Sequence, residues 1–312
     1  MQDLRTLIQR HDKVSILSHI NPDGDAIGTA LGIYAIMKSM GIMAEVVNVD
    51  RVDIPRYLDF LPNFSKIKSS MDFPSSLIIS CDSGSLDRLG TSVANRAIFN
   101  IDHHQSNTYY GDVNVVKPSY AAASQVAFEV FRKDFPMNRD AATCFYTALV
   151  SDTQYFRTNS VTKEVFDVAS DMIAYDIDVS EVAYNLNQRR TLSSLRILSS
   201  SLQALDLHYD GRLATVIIRR ERIKEAGARY SDLMGIVDHL ISLATVKIAI
   251  VVMELESTLT ISIRSKQMDI STLAIAFGGG GHQHAAGFST NTLSADALVE
   301  TLMIKIKEMG LL

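Results

Sequence analysis

Short apolar runs alternate with longer segments of helical periodicity in the first half of the chain. The run at residues 13–18 (KVSILS) is followed by the turn residues NPDG and then by apolar positions at helical spacing up to Gly41, which predicts a helix with a glycine C-cap. Three more runs predict strands that are buried on both faces: AEVVNVD (44–50), SLIISCD (76–82) and AIFNIDHH (97–104). This alternation predicts an α/β fold with a doubly wound, mostly parallel sheet.

The pattern changes twice in the second half. Between residues 120 and 205 four segments have apolar residues at helical spacing, and the last, TLSSLRILSSSLQAL, predicts a connecting helix. Strand patterns then return in RLATVIIRR (212–220), KIAIVVMELES (247–257) and LTISIRSK (259–266). We therefore predict an α/β catalytic domain over residues 1–187, a connecting segment over 188–208 and a smaller α/β domain over 209–312.

Composition narrows the class of protein. The 312 residues are 47% hydrophobic and 21% charged, which is typical of a globular protein with a sizeable core. The net charge of -5 argues against coating by nucleic acid through charge alone. The two cysteines are too few for a disulfide framework and are expected to be core thiols. No run approaches the roughly 18 apolar residues of a membrane span, and the N-terminus lacks a signal-peptide core, so we expect a cytoplasmic protein without a membrane partner.

Residues that suit metal binding end several of the apolar runs. They are His19, Asp23, Asp25, Asp82, Asp102, His103, His104 and Asp152. In a doubly wound sheet, ligands bind outside the carboxyl ends of the strands, near the point where the strand order reverses. Three strands and one helix therefore deliver carboxylates and imidazoles to the same edge of the sheet.

Each piece of this set also has an ordinary interpretation. Pro-Asp-Gly suits a turn, and an aspartate at a strand end commonly caps the next helix. An EF-hand is excluded, because Ala26 stands where Gly is required and Gly32 where Glu is required. Clustered carboxylates raise one another's pKa unless cations neutralise them. Mixed Asp and His ligands suit Mn²⁺ or Mg²⁺ better than Zn²⁺, and a metal pair about 3.5–4 Å apart would hold a bridging water and clamp a phosphoryl group.

The glycine-rich segment FGGGGHQHAAGF matches neither a Walker A loop nor a dinucleotide fingerprint. Its four consecutive glycines, residues 278–281, are either a flexible loop or a stretch of bare backbone that approaches a ligand phosphate, with His282 beside it. Arg264 is either the cationic partner of that phosphate or a solubilising residue of an edge strand.

HINPDGDAIG, CDSG, IDHH and SDT, in this order, resemble the four motifs of the DHH phosphoesterase superfamily. FGGGGHQHAAGF resembles the signature of its C-terminal DHH-associated domain, so that the resemblance spans nearly the whole chain. A chain of this length without membrane or sensor domains is most similar to the bacterial nanoRNases, which are bifunctional oligoribonucleases and 3′-phosphoadenosine 5′-phosphate (pAp) phosphatases. The motifs are highly specific for the superfamily and less specific for the substrate.

The resemblance implies a cofactor of two divalent cations, with Mn²⁺ first and Mg²⁺ or Co²⁺ as alternatives. One cation would be bound by His19 and Asp23. The other would be bound by Asp25, His103 and Asp152. Asp82 would bridge the two.

The resemblance also implies roles around the cations. Asp102 would orient the neighbouring imidazoles, and His104 would stabilise the scissile phosphate or donate a proton to the leaving oxygen. The substrate would lie in a cleft between the two domains. Its binding residues would be Ser124, Arg264, Gly278, Gly279, Gly280, Gly281 and His282. His284 is an additional histidine to which the resemblance gives no role.

The expected substrates are short RNA oligonucleotides, hydrolysed to mononucleotides, and pAp, hydrolysed to AMP and phosphate. The same chemistry on a linear or cyclic dinucleotide, or on single-stranded DNA as in the usually larger RecJ-type exonucleases, stays open. GGGGH argues against the superfamily's inorganic pyrophosphatases. A nucleotide-sensing binding protein is expected to have lost a ligand, yet every matching position is intact. A homodimer is compatible with the sequence, which fixes neither oligomeric state nor exonuclease polarity.

Overall fold

The computed structural model describes residues 4–292 and 294–312, and the chain divides into two compact units between Arg189 and Arg190. The N-terminal unit contains one sheet of six parallel strands in the order β3-β2-β1-β4-β5-β6. Its strands are β1 (Lys13–Ser18), β2 (Met43–Val47), β3 (Ile67–Lys68), β4 (Leu77–Cys81), β5 (Ile98–Asp102) and β6 (Val113–Val116). Its helices are α1 (Leu4–Arg10), α2 (Gly24–Ser39), α3 (Ala123–Asp134), α4 (Arg139–Asp152), α5 (Lys163–Ile173) and α6 (Val179–Gln188).

The strands of this sheet are apolar on both faces, as their sequences predicted. On β1, Ile16 belongs to the large core formed with the helices, while Leu17 belongs to a smaller core on the opposite face. On β4, Ile79 and Ile78 divide in the same way, and Leu89 from the β4–β5 connection covers the smaller core. The strand order reverses between β1 and β4, and this is the switch point at which such sheets bind ligands. The predicted α/β class is confirmed.

The segment boundaries differ from the sequence prediction in a few places. The helix after β1 ends at Ser39, its C-cap is Met40, and Gly41 follows in the left-handed conformation at φ +70°. The short strands β3 and β6 were not predicted from the sequence, because β3 has two residues and the four residues of β6 are half-buried at the sheet edge. The predicted strand at 44–50 is confirmed as β2 with a shorter C-terminal end.

Glycines allow α2 and α4 to pack unusually closely. A Cβ atom on Gly24 would lie 2.2 Å from Ser151 Oγ, and one on Gly28 would lie 2.6 Å from the Cys144 carbonyl oxygen. Gly32 continues this line, which we call the glycine seam (Gly24, Gly28 and Gly32), one turn further along α2. The helices run antiparallel along the seam, so that the N-terminus of α2 lies beside the C-terminus of α4.

A buried carboxylate, Glu45 on β2, joins β2 to the segments that follow β3. Its side chain is 1% exposed and accepts four hydrogen bonds. The donors are Ser15 Oγ at 2.7 Å, Lys68 Nζ at 3.0 Å, Asp72 N at 3.0 Å and Phe73 N at 3.2 Å. Burial alone would raise the pKa of Glu45, but the bonds from Asp72, Ser15 and Lys68 outweigh it and hold the pKa below its ordinary value.

We expect Glu45→Gln to lower the free energy of unfolding by about 2–3 kcal/mol at pH 7, because charge-assisted hydrogen bonds are lost and donors are left unsatisfied. A lowered pKa in the folded state means that this stabilisation is present above the unfolded pKa of about 4.3 and is lost as the pH falls through the folded value. Urea unfolding at pH 7 and at about pH 3 measures both effects. Glu181→Gln, at an exposed glutamate, is the control. If Glu45→Gln lowered the free energy of unfolding equally at both pH values, the stabilisation would not come from an ionised Glu45 carboxylate.

The C-terminal unit contains a second, mixed sheet in the order β11-β12-β10-β9-β8-β7, in which only β8 and β9 are parallel within residues 190–292 and 294–312. Its strands are β7 (Asp206–His208), β8 (Leu213–Ile218), β9 (Ile248–Glu254), β10 (Leu259–Ser265), β11 (Gly280–His282) and β12 (Ala285–Thr290). Its helices are α7 (Leu192–Gln203), α8 (Arg220–Ala226), α9 (Tyr230–Leu233), α10 (Ile236–Ile241), α11 (Ser271–Ala276) and α12 (Ala295–Glu308). Both faces of β9 are covered: Ile250 contributes to one core and Val251 to the other.

Three of the C-terminal strands, β8, β9 and β10, confirm the sequence prediction, whereas β7, β11 and β12 were not predicted. The glycine-rich segment is partly ordered as β11, which pairs with β12 from Gly280↔Gly287 to His282↔Ala285. Within the part of the chain that the structure describes, none of the helices combines the length and the apolar character needed to cross a bilayer.

Candidate metal centre

The turn between β1 and α2 places its acidic residues by ordinary capping geometry. Asp23 is the N-cap of α2, and its Oδ1 accepts a hydrogen bond from the backbone N–H of Ala26 at 3.0 Å. Asp25 lies in the first turn of the same helix. The turn interpretation of NPDG is therefore correct, and the capping bond occupies only one oxygen of Asp23. The other oxygen, Oδ2, faces His19 Nε2 at 3.8 Å.

A first group of ligand atoms forms around His19. Its Nε2 lies 3.8 Å from Asp23 Oδ2 and 3.4 Å from Asp82 Oδ2. Its Nδ1 lies 2.7 Å from the carbonyl oxygen of Ile20, which fixes the ring orientation and directs Nε2 towards the carboxylates. His19, Asp23 and Asp82 could together hold a metal ion.

A second group forms around His103. Its Nε2 lies 3.9 Å from Asp25 Oδ2, 3.5 Å from Asp82 Oδ1 and 3.7 Å from Asp152 Oδ2. The carbonyl oxygen of Tyr120 lies 3.2 Å from Nδ1 and orients this ring in the same way. Asp25, Asp82 and His103 could hold a second ion, with Asp152 at the edge of the group.

Asp82 stands between the two groups and has an unusual backbone. It follows β4 in the left-handed conformation, at φ +56°, which is uncommon for a residue with a side chain. Its Oδ1 is buried and has no hydrogen-bond partner among the described residues. Burial would raise the pKa of Asp82, but the imidazoles of His103 and His19, 3.5 and 3.4 Å from its oxygens, hold the pKa well below its ordinary value. The site thus contains a buried carboxylate with one oxygen that forms no hydrogen bond within the described residues.

Asp25 carries a second function in the fold. Its Oδ2 accepts from the backbone N–H of Ala123 at 2.6 Å, and its Oδ1 accepts from Ser124 N and Thr29 Oγ1, both at 3.0 Å. The carboxylate therefore caps the N-terminus of α3 from outside that helix. Burial and the nearby charges of Asp82 and Asp152 nevertheless raise the pKa of Asp25 well above its ordinary value.

Asp152 ends α4 beside the N-terminus of α2. Burial raises the pKa of its carboxyl to about 6, against the opposing effect of His103. The raised pKa values of Asp25 and Asp152 mean that ionising every carboxylate of the cluster has an electrostatic cost, which divalent cations would remove.

The donor set fits hard divalent cations. In octahedral coordination with metal–ligand distances of about 2.1 Å, neighbouring ligands are about 3.0 Å apart and opposite ligands about 4.2 Å apart. The separations of 3.4–3.9 Å between histidine nitrogens and carboxylate oxygens fall between these limits. The unsatisfied Oδ1 of Asp82 supplies a further lone pair for an ion. The residues present therefore fit a pair of ions that share Asp82.

His104 is oriented mainly by the buried carboxylate of Asp102, and its Nδ1 also lies 3.5 Å from Asp82 Oδ1. Its Nδ1 lies 2.7 Å from Asp102 Oδ1, and Asn107 Nδ2 donates to Asp102 Oδ2 at 2.6 Å. Burial would raise the pKa of Asp102, but its hydrogen bond with His104 outweighs this and keeps the pKa low. The ionised carboxylate fixes a proton on Nδ1, so that any proton transfer to a ligand would use Nε2.

The substrate-binding residues predicted for the C-terminal unit lie on β10, β11 and the turns around them. Arg264 is near the end of β10, with its side chain 26% exposed. Gly280 is paired in β11, and a Cβ there would meet no atom within 4 Å in the described part of the chain. His284, which has no role in the family resemblance, lies with its Nδ1 3.2 Å from Ser265 Oγ and joins β10 to the turn before β12.

Ser124 has a different environment from the one predicted. It lies in the first turn of α3, is fully buried, and its Oγ has no hydrogen-bond partner among the described residues. Its backbone N–H donates to Asp25. Contact between Ser124 and a substrate stays a prediction, since the hydroxyl is closed off from solvent.

Sequence reasoning missed the residues that orient the cluster. Thr29, Asn107 and the carbonyl of Tyr120 each bond to a predicted ligand or to Asp102. Thr29 follows Asp25 by four residues on a helix, a spacing at which side chains contact each other, so this contact could have been predicted from the sequence. The contact of His103 with Tyr120 could not be predicted, because it uses a backbone carbonyl that any residue would provide.

Two family models match the chain. The DHH family, N-terminal domain, matches residues 13–149, and the DHHA1 domain matches residues 211–308. A protein of Thermus thermophilus named bifunctional oligoribonuclease and PAP phosphatase NrnA is 30% identical over 232 residues, which cover 73% of this chain and 69% of that protein. The chain belongs to the DHH family. The DHH model includes His19, Asp23, Asp25, Asp82 and His103, whereas Asp152 lies just beyond it.

Other relatives agree with this assignment. A Bacillus subtilis protein with the same name is 25% identical over 252 residues, covering 78% of this chain and 79% of that protein. The crystal structure of an exopolyphosphatase-related protein from Bacteroides fragilis matches with a TM-score of 0.85, at 23% identity, over 98% of this chain and 95% of that one. The structural match supports the fold, and the family and its named relatives support phosphoesterase function for this DHH protein.

Proposed function

We propose that the protein is a two-metal phosphoesterase that degrades short oligoribonucleotides to mononucleotides and dephosphorylates pAp to AMP. The observation that carries the proposal is the position of Asp82: a buried carboxylate shared by the His19 and His103 groups, one of whose oxygens forms no hydrogen bond among the described residues. A structural carboxylate in such a position would have its hydrogen bonds completed by the protein. The names of the Thermus and Bacillus relatives support the choice of substrates.

In this proposal the bound cations supply an activated water and neutralise charge on the phosphoryl oxygens. The protein holds the scissile phosphate beside His104. With Nδ1 fixed by Asp102, the Nε2 of His104 would donate a proton to the leaving ribose oxygen or stabilise the charge that develops on it. Asn107, which donates to Asp102, keeps this arrangement in place.

The DHH-associated domain is proposed to bind the substrate away from the reacting phosphorus. Arg264 would bind a phosphate through its guanidinium donors, and the glycines at 278–281 with His282 would approach the nucleotide with little steric hindrance.

A rate comparison across substrates tests the proposal. With Mn²⁺ present, the protein is expected to hydrolyse pAp and RNA of two to five nucleotides faster than cyclic-di-AMP or single-stranded DNA. The dinucleotide pApA should release AMP. If none of these substrates is hydrolysed with Mn²⁺, Mg²⁺ or Co²⁺, the proposed enzymatic activity is refuted. A preference for cyclic-di-AMP would support the proposed phosphoesterase chemistry but on a different substrate.

Substitutions at two adjacent glycines, Gly279 and Gly280, are expected to affect stability and substrate binding separately. A Cβ on Gly279 would lie 2.2 Å from the Gly287 carbonyl oxygen, whereas one on Gly280 would meet nothing within 4 Å among the described residues. We expect Gly279→Ala to lower the free energy of unfolding by about 2 kcal/mol, and Gly280→Ala to change it by less than about 0.5 kcal/mol. Gly280→Ala should instead raise KM for pAp about tenfold, since the added methyl occupies the space proposed for the ligand.

Urea unfolding and steady-state kinetics on the two variants measure the difference. Wild-type kinetics for Gly280→Ala would mean that this backbone does not approach the substrate.

A further inference from the structure

Arg264 is held in one orientation by a carboxylate on a neighbouring helix of the C-terminal unit. Its Nε donates to Asp238 Oδ1 at 3.2 Å, and its Nη1 donates to the carbonyl oxygen of Ile263 at 3.2 Å. Asp238 lies on α10, which packs against β9 and β10. Both side chains are partly accessible, with Asp238 35% and Arg264 26% exposed. A pair of this kind at the surface contributes little to stability.

The two hydrogen bonds select which edge of the guanidinium remains available. A guanidinium binds a phosphate through either of two edges: one formed by Nε and one Nη nitrogen, the other formed by the two terminal nitrogens. Asp238 occupies Nε, so the first edge is closed. Nη2 takes part in neither bond, and Nη1 has a second N–H. The remaining donors therefore form the terminal edge.

Asp238 has no other assigned function in this part of the fold. It is the third residue of α10, but α10 has no side-chain cap bond at its N-terminus. The only hydrogen bond and ion pair described for its carboxylate join it to Arg264. Without Asp238 only the described bond from Nη1 to the Ile263 carbonyl would hold the guanidinium, and Nε would no longer be occupied, so that both phosphate-binding edges would become available.

We propose that Asp238 is a positioning residue that presents the terminal edge of Arg264 to a phosphate of the substrate. This inference rests on the proposed function, because it takes that phosphate to belong to a short oligonucleotide or to pAp. Asp238 acts through Arg264 and does not itself touch the substrate. It also partly neutralises the arginine, so that binding depends on hydrogen-bond geometry more than on net charge.

Steady-state kinetics on pApA provide the test, with bis-p-nitrophenyl phosphate as the comparison substrate because it has no second phosphate for Arg264 to bind. Asp238→Ala is expected to raise KM for pApA about tenfold with kcat within about threefold of wild type, since a displacement of about 1 Å in a binding group carries costs of this order. Asp238→Asn should stay within about threefold of wild type, because its amide oxygen still accepts from Nε. Hydrolysis of bis-p-nitrophenyl phosphate should not change in either variant.

A double-mutant cycle distinguishes positioning from a loss of structure. In an Arg264→Ala background, Asp238→Ala should have no further effect on KM, because the residue through which it acts is gone. Glu256→Ala, which removes an exposed carboxylate paired with Arg220, is the matched control and should behave as wild type. An additive effect of Asp238→Ala, a fall in bis-p-nitrophenyl phosphate hydrolysis, or wild-type KM in Asp238→Ala would each overturn the inference.

A binding measurement distinguishes failure of this inference from failure of the proposed function. If the wild-type protein hydrolysed none of the substrates, the proposed function would fail, and calorimetric titration with pAp in EDTA would still test the pair. Asp238→Ala should weaken pAp binding about tenfold, and only while Arg264 is present. Equal affinity in both proteins, or no affinity in the wild type, would refute the role of Asp238.

Discussion

Asp82→Asn is expected to reduce hydrolysis of pAp and of short RNA by at least about a thousandfold. The residue contributes one oxygen to each ligand group, so its amide would weaken both proposed cation sites at once. Loss of a residue that merely supports a metal ligand commonly costs 10–100-fold, and loss of the shared ligand should cost more. Asn is a better replacement than Ala, because Asn tolerates the left-handed backbone found at φ +56°.

Cation binding gives a readout that does not depend on turnover. Wild-type protein titrated with Mn²⁺ should show binding by calorimetry and a rise in melting temperature with cation concentration. Asp82→Asn should lose both effects. Asp176→Asn is the matched control, since Asp176 has the same backbone conformation at φ +60° but is exposed and lies between α5 and α6. Undiminished Mn²⁺ binding in Asp82→Asn would remove Asp82 from the metal centre.

His104→Asn should lower kcat for the same substrates by about a hundredfold and leave Mn²⁺ binding intact. The Asn amide can reach the position of Nδ1 and keep the bond to Asp102, while Nε2 is lost. General acid catalysis commonly contributes a factor of about 10²–10⁴. The effect should be smaller on a substrate whose leaving group needs no proton, and bis-p-nitrophenyl phosphate is such a substrate.

The substrate comparison decides between the two roles considered for His104. Equal losses on pApA and bis-p-nitrophenyl phosphate would assign it to electrostatic stabilisation of the phosphate rather than to proton donation. His11→Asn is the control, because the His11 ring lies 2.8 Å from the Leu7 carbonyl oxygen at the end of α1 and belongs to neither ligand group. If His104→Asn abolished Mn²⁺ binding, His104 would be a ligand and the assignment of the two groups would be wrong.

Much of the fold could be predicted because the buried strands are apolar on both faces. The pattern located β1, β4 and β5, and the carboxyl ends of these strands are the places where His19, Asp82 and His103 stand. A rule of topology was then sufficient to bring them together, because parallel strands present their carboxyl ends at one edge. The sheet confirms that architecture, whereas the roles of the individual ligands remain proposals.

The residues that were missed act through contacts that sequence spacing does not show. Asn107 reaches Asp102 across a loop, and Asp238 reaches Arg264 from another element. Asp25 bonds to the start of α3 nearly a hundred residues further along the chain. The β3 and β6 strands were missed for a different reason, since runs of two and four residues carry too little periodicity to be recognised.

Docking of α2 and α4 along the glycine seam determines when the Asp and His residues of the candidate metal centre come together during folding. Asp25 at the start of α2 and Asp152 at the end of α4 are 127 positions apart in the chain, and they meet only when the two helices dock. Contacts of such sequence separation form late, after the loop between them has closed. A partly folded chain containing β1 and α2 alone would lack three of the four residues of the second ligand group. Capture of a second cation would therefore report that the whole N-terminal unit has reached its native topology.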